Sequence, residues 1–310
     1  MSSSTYAPPS IAEGSLPTPR PRPVWLDPDS RRKWTLISLL AILDLVWIAF
    51  SDFQVRASGW ILPISGLTLL GGMTWFYTAV RVLPDQRIAE TMHASGVLIA
   101  YTAVAAPLSY LMTSLALPIV DPMLVSVDRW FGFDWPAWYR WVAAHPPLQS
   151  LLNMLYSSSL IQIALATVVL GFLGRISHMR EMMLALILTS VPIIIISGLV
   201  PAASAWVYFG EDLDRAYHLA HFIGLRDGSY RILGASDMVG LITFPSFHTA
   251  IALIVPWACR AIPWLFWLTC VANLGVLVSI PSEGGHYLSD MVAAAIFTVA
   301  ILFWLHLKRR

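Results

Sequence analysis

Long apolar runs separated by short polar segments make up most of the chain after residue 33. Eight of these runs are long enough to cross the hydrocarbon core of a bilayer, which takes about 17–25 helical residues. They lie near residues 34–51, 58–80, 91–115, 149–173, 182–205, 245–261, 262–281 and 286–307. The pattern predicts an all-α integral membrane protein with about eight transmembrane helices.

Two long connections, residues 116–148 and 206–244, interrupt the apolar runs, and both contain Trp, Tyr and acidic residues. Because Trp and Tyr concentrate where a bilayer meets water, we expect short helices at the membrane interface in both connections. Residues 1–33 are rich in Ser and Pro and cannot bury a core. They are predicted to form a disordered cytoplasmic tail.

The composition excludes an ordinary soluble protein. Apolar residues make up 57% of the chain and charged residues 12%, whereas soluble domains have about 45–50% and about 25%. The net charge of +1 gives no reason to expect a nucleic acid partner. Cys259 and Cys270 both lie in apolar runs and lack the spacing of a metal site.

Basic residues are distributed unevenly between the two sets of connecting segments. With eight spans and a cytoplasmic amino terminus, thirteen of the nineteen Lys and Arg residues face the cytoplasm and six face outward. The outward six are Arg56, Arg129, Arg140, Arg215, Arg226 and Arg231. The positive-inside rule favours this orientation, which places both termini in the cytoplasm and both long connections outside.

Two short stretches at the outer mouths of predicted spans contain side chains suited to catalysis. Residues 244–250 read Phe-Pro-Ser-Phe-His-Thr-Ala and include His248. Residues 281–290 read Pro-Ser-Glu-Gly-Gly-His-Tyr-Leu-Ser-Asp and include His286 and Asp290. A spacing of four residues places this last pair on one helix face, where the two side chains can hydrogen-bond. A carboxylate on one imidazole nitrogen leaves the other nitrogen free to act as a nucleophile.

Each stretch also opens a predicted helix, with Ser246 or Ser282 nearby as a cap. The N–H groups and the positive dipole end at a helix start favour a bound phosphate, and Gly284 and Gly285 would let the backbone approach it closely. The two histidines and the aspartate are also legitimate zinc ligands, and they could form a purely structural polar network. Glycines and helix starts suit an anion better than a cation, so these residues favour phosphoryl transfer.

Together the two stretches resemble the motifs of the type-2 phosphatidic acid phosphatase superfamily, Pro-Ser-x-His followed by Gly-x-His-x-x-x-Asp at the start of a later span. The residues Phe-Pro-Ser-Phe-His-Thr-Ala and Gly-Gly-His-Tyr-x-x-Asp are similar to the motifs of the branch that includes inositol phosphorylceramide synthases. The resemblance covers roughly residues 90–307. It implies a chain organised as the tail, two accessory helices over 34–89, and a six-helix catalytic module over 90–310.

The resemblance also implies roles for individual residues. His286 would be the nucleophile that takes the phosphoryl group as a phosphohistidine, and Asp290 would orient it. His248 would protonate the leaving alcohol and then activate water or an acceptor hydroxyl. Ser246 and Gly285 would contact the phosphate, and neither a metal nor another cofactor would be needed.

The chain lacks some of the basic residues of the family pattern, although a bound phosphate needs cationic partners. An Arg usually stands six residues before the histidine of the second motif, and here that position is Ile280; the usual earlier Lys and Arg-Pro motif has no clean match. The predicted substitutes lie in the second long connection, with Arg226 first, in a Leu-Arg-Asp-Gly stretch similar to that branch, then Arg231 and Arg215. The alternative is that Arg226 pairs at the surface with an acidic residue, namely Asp227, Asp237 or Glu211.

The residues and the resemblance together predict a lipid-phosphate phosphatase acting through a phosphohistidine on the non-cytoplasmic face. Its substrate would be a lipid such as phosphatidic acid or a polyprenyl (pyro)phosphate, reaching the site sideways from the outer leaflet. Two alternatives stay open: a head-group phosphotransferase similar to inositol phosphorylceramide synthase, and a non-enzymatic transporter or scaffold. We expect a multi-pass protein of a bacterial inner membrane with its active site facing the periplasm.

Overall fold

The computed structural model describes residues 23–81, 85–211 and 213–308. Four of the basic residues used for the predicted orientation, Arg20, Arg22, Arg309 and Arg310, lie outside these ranges, as do the first 22 residues of the predicted tail.

Helices form nearly all the regular structure of the described ranges, so the all-α prediction is confirmed. They are α1 (Pro28–Ala49), α2 (Ile61–Trp75), α3 (Gln86–Thr113), α4 (Asp121–Trp130), α5 (Trp135–Ala143), α6 (Pro146–Phe172), α7 (Ile176–Leu199), α8 (Ala205–Phe209), α9 (Leu219–Asp227), α10 (Phe247–Cys259), α11 (Pro263–Gly284) and α12 (Leu288–Leu307). A π-helical turn, Phe76–Val80, extends α2. Short 3-10 turns cover Val24–Leu26, Ala57–Trp60 and Leu213–Arg215.

Six helices of the described ranges are long and apolar enough to cross a membrane, and they coincide with six of the eight predicted spans. These segments are Ala57–Val80, Gln86–Thr113, Pro146–Phe172, Ile176–Leu199, Pro263–Gly284 and Leu288–Leu307. Helix α10, at the sixth predicted span, has 13 residues. At 1.5 Å per residue it is about 20 Å long, which is shorter than a hydrocarbon core of about 30 Å.

The first helix begins at Pro28, so the last residues assigned to a disordered tail are helical. The Asp27 side chain caps the helix by accepting a hydrogen bond from the Asp29 N–H (2.9 Å), and proline suits the first helical position. Ser30 then contacts the imidazole of His93 on α3 at 2.7 Å. Capping and this contact explain why the helix starts before the apolar run.

Helix α10 lies at the centre of the bundle and packs against α6, α7, α11 and α12. Most of its apolar side chains are buried, including Ile251, Ile254 and Val255, whereas Phe247 and Trp257 are partly buried. A helix that is apolar on most sides needs cover on most sides, and here neighbouring helices supply much of it. The central position of α10 fixes the location of His248 in its first turn.

The two long connections lie at one end of the bundle and form α4, α5, α8 and α9, so the predicted short helices are present. Helices α3, α7 and α11 end there, and α6, α10 and α12 begin there. Strand β1 (Gln54–Val55), in the α1–α2 connection, pairs in parallel with β2 (Ile232–Leu233) at this same end. We call this end of the bundle the site end.

Candidate active site

His286 lies in the three-residue turn between α11 and α12. Its Nδ1 atom is 3.2 Å from Asp290 Oδ2, and that oxygen also accepts a 2.9 Å hydrogen bond from the Tyr287 N–H. Both motif side chains are buried. The expected hydrogen bond is therefore present, although His286 lies in the turn before α12 and does not share a helix face with Asp290. It favours a proton on Nδ1 and a free lone pair on Nε2.

The shape of this turn requires Gly285. Its φ angle is +62°, in the left-handed region, and a Cβ atom there would lie 2.6 Å from the indole Cδ2 of Trp206. The Gly285 carbonyl accepts a 2.7 Å hydrogen bond from the Ala205 N–H. Backbone conformation and the packing of Trp206 thus account for the glycine, whereas its contact with phosphate stays a prediction.

Two carboxylates accept hydrogen bonds from the N–H groups at the start of α12. The Asp128 side chain accepts 2.8 Å hydrogen bonds from the N–H groups of Leu288 and Ser289, in addition to the bond from Tyr287 to Asp290. The expectation that both helix starts offer unpaired N–H groups to an anion is therefore wrong for α12. The capping carboxylates instead fix the position of the turn that contains His286.

A second carboxylate of α4, Asp121, holds the same turn from its other side. It accepts hydrogen bonds from the Tyr287 hydroxyl (2.7 Å) and from the N–H groups of Ala203 (2.9 Å) and Ser204 (3.1 Å). Ser204 has a φ of 133°, which is rare for a residue other than glycine. The hydrogen bonds to Asp121 stabilise this conformation.

His248 is the second residue of α10, and Ser246 caps that helix. The Ser246 Oγ accepts a hydrogen bond from the Thr249 N–H (3.4 Å), and the Ser246 N–H donates to the backbone carbonyl of Asp290 (3.2 Å). The two motifs are thus joined through the backbone. In α10 the N–H groups of Phe247 and His248 have no acceptor carbonyl within the helix, so they can donate hydrogen bonds to a ligand.

The two histidine rings approach each other edge to face, with centroids 6.3 Å apart. The ring of Tyr156, on α6, stacks on His248 at 4.1 Å, and its hydroxyl lies 3.2 Å from His248 Nδ1. A Cβ at Gly284 would lie 2.8 Å from both His286 Cδ2 and the Tyr156 hydroxyl. Glycine at this position therefore permits the close approach of all three rings.

Burial keeps the imidazoles around the turn neutral near pH 7. It lowers the pKa of His286 to about 4, although a hydrogen bond with the Thr243 backbone acts in the opposite direction. Burial also lowers the pKa of His218, although the hydrogen bond between its Nε2 and the Ala203 carbonyl (3.0 Å) acts in the opposite direction. A neutral His286 has the lone pair that nucleophilic attack needs.

Comparison with protein families identifies the class of this site. The model of the PAP2 superfamily matches residues 122–304, which is more than half of the chain and includes both motifs. The chain belongs to the PAP2 superfamily. Membership supports a lipid enzyme of the phosphatase or phosphotransferase type. No curated protein and no solved structure matches the chain.

The PAP2 match begins at the second residue of α4 and ends inside α12, so α1 to α3 lie outside it. Helix α3 nevertheless packs against α6 and α7 of the matched region, and α1 and α2 pack on α3. The division into two accessory helices and a catalytic module beginning at residue 90 stays a prediction.

The cationic side chains of this PAP2 protein have very different surroundings. Arg215 Nη1 donates a 2.5 Å hydrogen bond to the buried Glu283, three residues before His286. Arg215, named last among the predicted phosphate ligands, is therefore the one whose contacts extend into the second motif.

Arg226 and Arg231 contact other parts of the site end. Arg226 Nη2 donates to the Leu117 carbonyl (2.8 Å), and Arg231 Nη1 donates to the carbonyls of Leu225 (2.8 Å) and Tyr230 (3.0 Å). Within the described ranges, neither guanidinium contacts the two motif histidines or the aspartate. Their role as phosphate ligands stays a prediction that these contacts do not support.

The acidic residues offered as alternative partners of Arg226 are also engaged elsewhere. Asp237 pairs with Arg56 at 2.6 Å, Glu211 pairs with Arg140 at 2.9 Å, and the Asp227 carboxylate accepts a 2.8 Å hydrogen bond from the Ser229 N–H. Among the described residues these contacts thus give no support to a surface ion pair of Arg226.

Across the described residues, no group of three or more His, Cys, Asp or Glu side chains could hold a metal ion. The zinc alternative for the two histidines and the aspartate thus finds no support in their geometry.

Several residues that shape the site were not predicted from the sequence. Asp121, Asp128 and Glu283 are buried carboxylates, and an acidic residue beside an apolar run is a signal that a partner is required. Tyr156 also shapes the site, through its contact with His248. Its contact with His248 depends on how α6 packs against α10, which local sequence does not reveal.

Proposed function

We propose that this PAP2 protein is a lipid-phosphate phosphatase that acts through a phosphohistidine on His286. The supporting observation is that two neighbouring histidines, the buried His286 and the partly buried His248, have different partners on Nδ1. A carboxylate accepts hydrogen bonds, so the Nδ1 of His286 carries the hydrogen and its Nε2 has the lone pair. The Tyr156 hydroxyl can donate to the Nδ1 of His248 or accept from it, so the Nε2 of His248 is left for the reacting groups. One ring therefore offers a nucleophile and the other a proton donor.

The reaction has two steps. First, His286 Nε2 attacks phosphorus, a nitrogen–phosphorus bond forms, and the bond from phosphorus to the lipid oxygen breaks while His248, in its protonated form, gives its Nε2 hydrogen to that oxygen and becomes neutral. Then His248 Nε2 takes a proton from water, the water oxygen bonds to phosphorus, and the nitrogen–phosphorus bond breaks. Asp290 orients His286 and stabilises its positive charge through both steps.

For the cationic partner of the phosphate we propose Arg215, because its guanidinium already reaches Glu283 beside the turn. The planar fork of Arg suits phosphate oxygens. The N–H groups of Phe247 and His248, at the start of α10, would supply further donors, with Ser246 holding that helix start in place. Gly285 would contribute through the shape of the turn.

We further propose that the site faces away from the cytoplasm, as expected for a periplasmic site in a bacterial inner membrane. Among the described residues, nine Lys and Arg lie at the opposite end of the bundle and six lie at the site end. The proposal is tested with Ser126→Cys, an exposed α4 position, in a variant whose own cysteines are replaced by Ala. A membrane-impermeant maleimide added to intact cells should label it, and protection until the cells are lysed would reverse the orientation.

The enzymatic test uses purified protein in detergent with a panel of lipid phosphates, including phosphatidic acid and a polyprenyl pyrophosphate. Wild type should release phosphate, and His286→Ala should abolish release. His145→Ala, at an exposed histidine outside the site, is the matched control. Vanadate should form an adduct on His286. Full activity in His286→Ala would refute the proposed mechanism, and a wild type that neither releases phosphate nor moves a head group would favour a transporter or scaffold.

A head-group phosphotransferase is the second candidate, favoured by the similarity of both motifs to the inositol phosphorylceramide synthase branch. It shares the phosphohistidine step, and the hydroxyl of another lipid replaces water in the second step. Adding a hydroxyl-bearing lipid acceptor to the same assay separates the two. A phosphatase keeps releasing inorganic phosphate, whereas a transferase forms a new lipid phosphodiester at the expense of phosphate release.

A further inference from the structure

A groove separate from the histidines lies at the site end of the bundle. It is lined by Ala116, Ile119, Ala203, Val207, Leu219, Phe222, Ile223, Arg226 and Asp227 and encloses about 450 Å³. We call it the Arg226 groove. The two motif histidines and Asp290 are not among its lining residues. Its walls are mostly apolar, and Ile119 and Ile223 are about half exposed at its rim.

Arg226 is the basic residue of this groove, and part of its guanidinium lacks an acceptor. Its Nη2 donates to the Leu117 carbonyl, and its Cζ lies 5.2 Å from the ring centroid of Phe222. Its Nη1 is buried and has no hydrogen-bond partner within the described ranges. A buried N–H without an acceptor is costly, so an anion that enters the groove gains a donor that the protein has not used.

Arg226 forms no ion pair with a nearby carboxylate in the part of the chain that the structure describes. Burial lowers the pKa of the guanidinium, and the negative charge of Asp121, which accepts hydrogen bonds from three donors of the turn region, acts in the opposite direction. Asp227 also lines the groove, is exposed and accepts from the Ser229 N–H. The polar end of the groove thus has a guanidinium that is not ion-paired.

The chemistry of a ligand follows from this combination. An apolar wall with a half-exposed rim suits an acyl chain, and Arg prefers phosphate oxygens. The groove opens at the end where the spans terminate and the interfacial helices lie, which is the depth of lipid head groups. An amphiphile with an anionic head group complements both features.

We propose that the Arg226 groove binds an anionic phospholipid of the surrounding bilayer, with its phosphate on Arg226 and an acyl chain along Ile119, Val207 and Ile223. The site is distinct from the phosphoryl-transfer centre, so it does not depend on the mechanism proposed for His286. Because Nη1 is buried, the Arg226 side chain must turn toward the cavity for this atom to reach the phosphate.

Binding is measured on the full-length protein in neutral detergent by native mass spectrometry, with dioleoyl phosphatidylglycerol and dioleoyl phosphatidylcholine as probes. Wild type should bind the anionic lipid more tightly than the zwitterionic one. Arg226→Gln should weaken phosphatidylglycerol binding about tenfold or more, with little change for phosphatidylcholine. Arg140→Gln, at the arginine that is 70% exposed and paired with Glu211, is the matched control and should bind as wild type does.

A second variant guards against a folding defect in Arg226→Gln. Ile223→Glu adds a negative charge at the half-exposed rim without disturbing the core, and it should also weaken phosphatidylglycerol binding. Equal thermal unfolding in lipid-free detergent establishes that both variants are folded. Unchanged phosphatidylglycerol binding in both variants would overturn the proposal.

His286→Ala separates the groove from the catalytic centre. Because His286 does not line the groove, this variant should retain wild-type affinity for phosphatidylglycerol. If His286→Ala loses the lipid while Arg226→Gln retains it, the lipid occupies the catalytic centre and the groove assignment is wrong.

Discussion

The carboxylate of Asp121 accepts a 2.7 Å hydrogen bond from the hydroxyl of Tyr287, the residue that follows His286. The same carboxylate accepts the N–H groups of Ala203 and Ser204, and Asp121 is only 3% exposed. One buried side chain of α4 thus joins the segment before α8 to the turn before α12. The position of His286 depends on this junction.

Tyr287→Phe removes one of the three donors to Asp121. A hydrogen bond to a charged group contributes about 1.5–3 kcal/mol, so the variant should unfold at a lower temperature. Because the turn loosens beside His286, kcat should also fall, by about tenfold. Thermal unfolding and phosphate release measure the two effects. The control Tyr77→Phe, in the π-helical turn that extends α2 and outside the family match, should change neither quantity. Wild-type values in Tyr287→Phe would show that Asp121 does not position the turn.

Asp128→Asn tests the capping of α12. In the wild type, each oxygen of Asp128 accepts from one N–H group, those of Leu288 and Ser289. The Asn side chain has a single oxygen, so one of these two hydrogen bonds is lost. We expect a loss of about 1–3 kcal/mol in stability and lower activity. The control is Asp134→Asn, because among the described residues the Asp134 side chain accepts one hydrogen bond, from the Ala137 N–H, and Asn caps helices as well as Asp does. Equal denaturation midpoints for the two variants would contradict the prediction.

Gly285→Ala combines an unfavourable backbone conformation with a steric clash. The left-handed conformation alone costs about 1 kcal/mol for Ala, and the new Cβ would lie 2.6 Å from Trp206. Gly132→Ala isolates the first cost, because Gly132 has a φ of +76° and no atom within 4 Å of the added Cβ. Thermal unfolding should show a much larger loss for Gly285→Ala. Similar losses would mean that Trp206 moves aside without cost.

Arg215→Gln should reduce kcat/KM by about 100-fold if Arg215 contacts the phosphate. The single variant also leaves Glu283 buried with an unbalanced charge, which is itself destabilising by about 3–5 kcal/mol. The double variant Arg215→Gln, Glu283→Gln removes that charge and separates the two effects. Recovery of stability without recovery of kcat/KM supports phosphate binding. Recovery of both would reduce Arg215 to a partner of Glu283.

The acid limb of activity should lie well below the usual histidine range. His286 must be neutral to attack, and it is neutral above its pKa, which burial lowers to about 4. Falling pH should therefore remove the nucleophile near pH 4 and not near 6.5. The measurement is the pH dependence of kcat/KM, which reports the free enzyme. A phosphate monoester substrate itself ionises for the second time near pH 6, so its titration is measured separately and kcat/KM is corrected for it. A His286-dependent limb near 6.5 would contradict the burial argument.

Local sequence was sufficient for much of the fold. Apolar runs predicted the helices at all eight positions, because a membrane or a buried core selects the same composition over a whole segment. The His286–Asp290 contact also followed from a spacing of four residues. The length of α10 did not follow, since an apolar run reads the same whether lipid or protein covers the helix. Its burial by four neighbouring helices is a tertiary property.

The α-helical membrane architecture and the two histidine motifs at one end can be predicted from the amino-acid sequence alone. Both conclusions rest on composition or on residues within a few positions of each other. The groups that surround His286, in contrast, depend on tertiary packing. Asp128 caps α12 from 160 residues away, and Arg215 reaches Glu283 across 68 residues. These partners meet only after the helices pack, so no local pattern records them, and the surroundings of Arg226 and Arg215 could not be assigned from spacing.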